Sequence, residues 1–106
     1  MDGGGLSAQG TRVVTAWRRE QTIYLDRPGA RETPLGQGKD VALAITDQGP
    51  YAVWTNSSGV ELFRPAAKTM ELLGAGGSFP AVIRLSNEAV LAAWEKDGQI
   101  EIARIN

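Results

Sequence analysis

Residues 90–104 read V-L-A-A-W-E-K-D-G-Q-I-E-I-A-R, and this stretch decides the fold class. An apolar run ends at Trp94, a run that alternates polar and apolar residues starts at Gln99, and Lys96-Asp97-Gly98 lies between them. Two such runs joined by an Asp-Gly turn are typical of a β-hairpin. No segment of the chain keeps the apolar spacing of a helix over several turns. The sequence therefore predicts an all-β protein.

The same hairpin pattern occurs twice more, nearer the N-terminus. Residues 22–28 read T-I-Y-L-D-R-P and residues 59–65 read G-V-E-L-F-R-P, and each places an arginine two residues after an apolar residue. A run that ends in tryptophan precedes each of them. The arginines are Arg27, Arg64 and Arg104, the tryptophans are Trp17, Trp54 and Trp94, and both series are spaced by 37 and 40 residues. Matching spacings of this kind predict a repeated structural unit.

The predicted unit contains four short strands. The first covers residues 41–45 or 81–85, the second ends in the tryptophan, and the third ends in the arginine. The fourth ends in Leu-Gly, and a second glycine follows it. Four antiparallel strands repeated about every 40 residues are typical of a β-propeller blade. We expect the glycines to let the chain pass between blades near the central axis.

The blade pattern divides the chain into three parts. Residues 1–38 are predicted to form a blade with a truncated first strand, residues 39–77 a complete blade, and residues 78–106 a three-stranded incomplete final blade. Propellers have about four to eight blades, so this partial β-propeller is predicted to be the C-terminal part of a longer protein, with a cut at Met1, or to assemble with copies of itself. Gly3-Gly4-Gly5 is predicted to be a flexible lead. A small β-sandwich with similar halves is the alternative fold.

Residues 79–104 resemble one blade of the bacterial sialidase-like (BNR-repeat-like) β-propellers. In that family a proline, an Ala-Trp pair and a late arginine follow one another with a similar rhythm, as Pro80, Ala93-Trp94 and Arg104 do here. The family's Asp box, Ser-x-Asp-x-Gly-x-Thr-Trp, is missing, and none of its catalytic residues can be placed on this chain. The resemblance implies a propeller fold, a possible carbohydrate ligand, and an exported or periplasmic bacterial protein.

Composition excludes several classes of function. The chain contains no cysteine and no histidine, so thiol catalysis, disulfides and the commonest general base are excluded, and no metal site or cofactor is predicted. Eleven basic and twelve acidic side chains give a net charge of −1, which does not favour nucleic acid or a membrane surface as a partner. Nothing in the spacing of the carboxylates selects a catalytic acid/base pair, and so no catalytic residue is predicted.

Arg27, Arg64 and Arg104 are the candidate ligand-binding residues. Arginines repeated on adjacent blades could converge on an anionic ligand, such as an acidic sugar, through paired hydrogen bonds. Alternatively, each packs along its own blade in a structural role. The tryptophans are expected to pack between blades, since tryptophan contributes a large buried area to such layers. The favoured interpretation is therefore a non-catalytic scaffold or ligand-binding surface, whose partners are copies of itself or the missing blades of a parent protein. The alternative is a glycan-binding or glycoside-hydrolase propeller formed by the full-length parent or by an oligomer, with the arginines binding an acidic sugar.

Overall fold

The computed structural model describes residues 4–9, 12–26, 32–65 and 69–106, and it is all-β over that part of the chain. Eleven strands form three antiparallel sheets. The first sheet contains β1 (Gly4–Gln9), β2 (Arg12–Arg19), β3 (Thr22–Asp26) and β4 (Thr33–Gln37). The second contains β5 (Lys39–Thr46), β6 (Gly49–Asn56), β7 (Gly59–Arg64) and β8 (Thr69–Ala75). The third contains β9 (Ser78–Arg84), β10 (Val90–Lys96) and β11 (Gln99–Arg104).

Within each sheet, every strand pairs with the next one along the chain. The central hairpins are closed by two-residue turns, because Asn56 pairs with Gly59 and Lys96 pairs with Gln99. The glycine-rich start is part of this arrangement. Gly4 and Gly5 lie in β1, opposite Trp17 and Ala16. The prediction of a flexible lead is therefore wrong for these two glycines, because backbone pairing with β2 holds them in a strand.

The buried side chains form two cores, with the second sheet between them. The first core lies between the first and second sheets, and the second core between the second and third. Members of the first core are Val14, Ala16, Ile23, Leu25, Leu35, Val41, Leu43, Ile45, Ala52, Trp54 and Phe63. Members of the second core are Tyr51, Val53, Val60, Leu62, Val90, Ala92, Trp94 and Ile105. Alternate residues of β6 therefore enter different cores, as expected for a strand whose two faces are both covered.

Each core contains a tryptophan packed against glycines at the junction between two sheets. A Cβ atom added to Gly74 would lie 2.5 Å from Nε1 of Trp94, and one added to Gly77 would lie 2.5 Å from its Cδ1. Trp54 lies over Gly36 and Gly38. A Cβ atom added to Gly38 would lie 2.4 Å from its Cδ1, whereas one added to Gly36 would lie 3.7 Å from its Cζ2, an ordinary contact distance. We call each pair of glycines a glycine seat. At Gly38, Gly74 and Gly77 a glycine is needed because the next sheet's indole ring occupies the space of a side chain. The role near a central axis stays a prediction from the sequence.

The last two residues are tied to the third sheet. Ile105 is buried in the second core, and its N–H donates to the carbonyl of Val90 over 2.9 Å. The side chain of Asn106 accepts from the N–H of Val90 and donates to the carbonyl of Glu88. These hydrogen bonds continue the pairing of β10 and β11 beyond the last strand residue. They hold the carbonyl group of Ile105 beside the second sheet.

Candidate functional site

Arg64 joins the second sheet to the third. It is the last residue of β7 and lies opposite Thr69 on β8. Its Nε donates to the carboxylate of Glu71, and its Nη1 donates to the carbonyl oxygen of Ile105. The guanidinium therefore bonds to a carboxylate of its own sheet and to the backbone of the neighbouring sheet. Both contacts give this arginine a structural role at the junction.

Arg104 occupies the corresponding place at the end of β11, and its surroundings differ. It lies opposite Leu91 and is exposed. Its Nε lies 3.1 Å from the carbonyl oxygen of Asn106 and 3.4 Å from the Oδ1 of the same residue. Arg27, the third candidate, lies outside the described residues. The structure therefore brings Arg64 and Arg104 to the same C-terminal segment, where one bonds between sheets and the other within its own sheet.

One face of the third sheet carries large apolar side chains in contact with water. Ile100 and Ile102 on β11 are 67% and 66% exposed, and Phe79 and Ile83 on β9 are 69% and 57% exposed. On β10, Leu91 lies between Ile83 and Arg104 in the register. We call this surface the open face. It consists of Phe79, Ile83, Leu91, Ala93, Ile100, Ile102 and Arg104.

The corresponding positions of the second sheet are buried. Val60 and Leu62 precede Ile100 and Ile102 by 40 residues, and neither is measurably exposed. Both belong to the second core, which the third sheet covers. The two pairs of residues have similar side chains in the same strand pattern, so the presence of a covering sheet accounts for the difference. An exposed apolar patch of this kind is a candidate surface for binding a partner.

The free edge of β11 lies beside the open face. In the second sheet the equivalent edge of β7 pairs with β8 from Gly59 to Arg64. Among the described residues no strand pairs with β11 on this side. An unpaired strand edge offers backbone donors and acceptors to another chain. The exposed apolar side chains of the open face and the unpaired backbone groups of this edge therefore form one continuous surface.

A polar cleft of about 650 Å³ lies at the end of the sheets that carries the central hairpin turns. Its described lining includes two cations, Arg18 and Lys39, and no carboxylate. The Nε of Arg18 donates to the carbonyl of Glu20 over 2.7 Å. Thr55 also lines the cleft, and its Oγ1 is buried without a hydrogen-bond partner among the described residues. The cleft is shallow and polar, and it contains none of the arginines that the sequence singles out.

A metal centre and a membrane span each place definite requirements on the described residues. No cluster of three or more Asp, Glu, His or Cys side chains there could hold a metal ion. None of the described residues belong to a helix long and apolar enough to cross a membrane. The sequence singles out arginines and misses the open face. The alternating apolar residues Ile100 and Ile102 were the signal in the sequence that could have indicated it. Val60 and Leu62 show the same alternation, but their side chains are buried.

No family model, curated protein or solved structure matches this chain.

The different surroundings of Arg64 and Arg104 lead to a test of stability. Arg64→Ala is expected to lower the free energy of unfolding by about 1–2 kcal/mol, because a charge-assisted bond to the carbonyl of Ile105 is lost at a partly covered junction. Arg104→Ala, its matched control at an exposed position, is expected to change it by less than about 0.5 kcal/mol. Urea unfolding at low protein concentration measures both values. Equal effects from the two variants would contradict the structural role assigned to Arg64.

Proposed function

We propose that this chain is a non-catalytic partial β-propeller that acts as a scaffold and docks to further sheets through its open face. Support comes from the arrangement of the sheets. Each of the three is an antiparallel meander, and the first strands of successive sheets lie beside one another. Each sheet packs face to face on the next one. Propeller blades have the same sequential strand order, and they pack face to face with their first strands nearest the axis.

The two junctions also support a repeated unit. Trp54 packs on the glycine seat formed by Gly36 and Gly38, and Trp94 packs on the seat formed by Gly74 and Gly77. In the register, Trp54 lies opposite Glu61 and Trp94 lies opposite Glu101. Two tryptophans 40 positions apart therefore each pack on glycines that precede the first strand of their own sheet. The kinship to sialidase-like propellers, an exported bacterial origin and the division into blades at residues 38 and 77 stay predictions from the sequence.

The contacts of the arginines favour the scaffold over an acidic-sugar site. Arg64 donates to Glu71 and to the backbone of residue 105. A ligand carboxylate at this place would have to replace both acceptors. A site of converging arginines would instead need guanidinium groups directed at one open space. Glycan binding or hydrolysis by a completed propeller is the alternative that this observation disfavours.

The open face is the observation that carries the proposal. In the first two sheets the corresponding side chains, Ile23, Leu25, Val60 and Leu62, are buried by the next sheet. Fully burying one aliphatic side chain is worth about 1.5–3 kcal/mol. Covering Ile100, Ile102 and Ile83, which are 57–67% exposed, therefore contributes a favourable free energy of several kcal/mol to docking.

Light scattering coupled to size exclusion tests this function. The chain is expected to run at a multiple of its 11.3 kDa mass. Ile102→Asp is expected to return it to 11.3 kDa, because a buried unpaired carboxylate opposes docking. Gln48→Asp adds the same charge at an exposed turn and should leave the mass of the assembly unchanged. A wild-type monomer with a single cooperative unfolding transition would refute the proposal.

A further inference from the structure

We infer that the partner of the open face is a second copy of this chain, bound head to tail in a closed dimer. The inference rests on the proposed docking function and names the occupant. In this arrangement the open face of each copy packs against the outer face of the other copy's first sheet. We call this second surface the tail face. Its described members are Arg19, Tyr24, Asp26, Glu32 and Pro34.

Both junctions inside the chain are directional. At each one, the earlier sheet contributes aliphatic side chains and the later sheet contributes a tryptophan. Ile23 and Leu25 meet the sheet that carries Trp54, and Val60 and Leu62 meet the sheet that carries Trp94. No two faces of the same kind meet at either junction. Continuing this rule beyond the third sheet requires a sheet of the tryptophan type to cover the open face.

By the backbone register, the tail face is the outer face of the first sheet that corresponds to the tryptophan face of the other two sheets. In the backbone register Trp17 lies opposite Tyr24, just as Trp54 lies opposite Glu61 and Trp94 opposite Glu101. Tyr24 lies on the face of β3 opposite to the buried Ile23 and Leu25, and it is only partly buried. The guanidinium of Arg19 lies over its ring at 4.9 Å from the centroid. Each copy therefore carries one unused face of each kind.

Charge at the edge of the contact supports this pairing. Arg64 reaches the backbone of residue 105, two residues along the chain from Ala103, whose side chain packs on the same core. Arg104 is the counterpart of Arg64 in the third sheet, 40 residues later. Exposed Asp26 is the counterpart of Ala103 in the first sheet, because both lie two residues after the partner of the tryptophan. Head-to-tail packing with the internal geometry brings Arg104 of one copy beside Asp26 of the other. Opposite charges at a contact rim favour correct alignment.

The number of sheets sets the number of copies. One copy contributes three sheets, which is fewer than the four or more that close a propeller. Two copies contribute six sheets, within the range of about four to eight for such rings. Two head-to-tail contacts related by a twofold axis then close the ring and leave neither open face exposed. Contacts of this kind form closed rings when the rotation completes a circle.

Charge reversal at both ends of the contact tests the inference. The wild-type chain is expected to have twice its 11.3 kDa mass. Arg104→Asp and Asp26→Arg are each expected to raise the dissociation constant about tenfold or more, because like charges then meet at the rim. The double variant carrying both changes is expected to return to near the wild-type constant. Both positions are exposed, so the unfolding midpoint of the monomer should stay unchanged in every variant.

The other outcomes separate the two proposals. If Ile102→Asp and Arg104→Asp weaken association and Asp26→Arg does not, the open face binds a surface other than the tail face, and the head-to-tail dimer is overturned while the docking function survives. Additive effects of the two charge reversals overturn the dimer in the same way. A wild-type monomer at millimolar concentration overturns both the dimer and the docking function.

Discussion

Replacing Trp54 by alanine is expected to lower the free energy of unfolding by about 3–5 kcal/mol. Trp54 is 1% exposed, and it packs in the first core from the middle of the central sheet. Truncating a buried tryptophan costs about 3–5 kcal/mol, counting both the lost burial and the cavity. The total stability of a domain is about 5–15 kcal/mol. The loss is therefore of the same size as the stability of a small, incompletely covered protein.

Circular dichroism during urea unfolding measures this effect. Met70→Ala provides the control, because Met70 is 48% exposed on the outer strand of the same sheet and should change the stability by less than about 1 kcal/mol. Trp54→Phe keeps the measurement informative if the alanine variant does not fold. It retains a ring and removes the indole N–H, which has no hydrogen-bond partner among the described residues. Its cost should therefore be well below that of Trp54→Ala. Similar midpoints for Trp54→Ala and Met70→Ala would contradict the central role of the indole.

Gly74→Ala is expected to lower the free energy of unfolding by about 1–3 kcal/mol. The added methyl group would lie 2.5 Å from Nε1 and 2.6 Å from Cε2 of Trp94. A rigid indole ring cannot move aside without disturbing the second core, and overpacking of a filled core costs about this much. Thermal or urea unfolding followed by tryptophan fluorescence reports both the stability and the displacement of the ring.

A double-mutant cycle identifies the cause of that loss. In a Trp94→Leu background the ring is absent, so Gly74→Ala should cost much less than it does in the wild-type chain. Such coupling between residues in contact is typically about 0.5–3 kcal/mol. Equal costs in the two backgrounds would show that the glycine matters for its backbone alone, and the glycine seat would then have no role in packing the sheets.

The all-β fold and its hairpins could be predicted because their signals are local. Lys96-Asp97-Gly98 predicts a turn, and the structure has a two-residue turn at residues 97–98. The second strands run two residues further than predicted, to Asn56 and Lys96, since tight turns allow pairing up to the last residue. Burial of Trp54 and Trp94 between sheets also follows from the sequence and is confirmed, because large aromatic residues in central strands have few other places to pack.

Contacts between distant segments could not be predicted in the same way. Arg64 bonds to a carbonyl 41 residues away, and no local pattern marks an acceptor in the backbone. The open face was missed for a related reason. Ile100 and Ile102 read in sequence like Val60 and Leu62, and only the presence or absence of a covering sheet separates them. The glycine seats likewise depend on a ring that comes from the next sheet.

The glycine seats have a consequence for how such a chain can change length. The second and third sheets each bring a ring for the seat before them, and the first two sheets each offer a seat to the ring that follows. Inserting or deleting one whole proposed unit would preserve every such match, whereas a cut inside a unit would leave a ring without its seat. Stability in arrays of this kind grows by similar increments with each neighbour. If the proposed unit is a true repeat, duplication of whole units is the change in length that this packing permits.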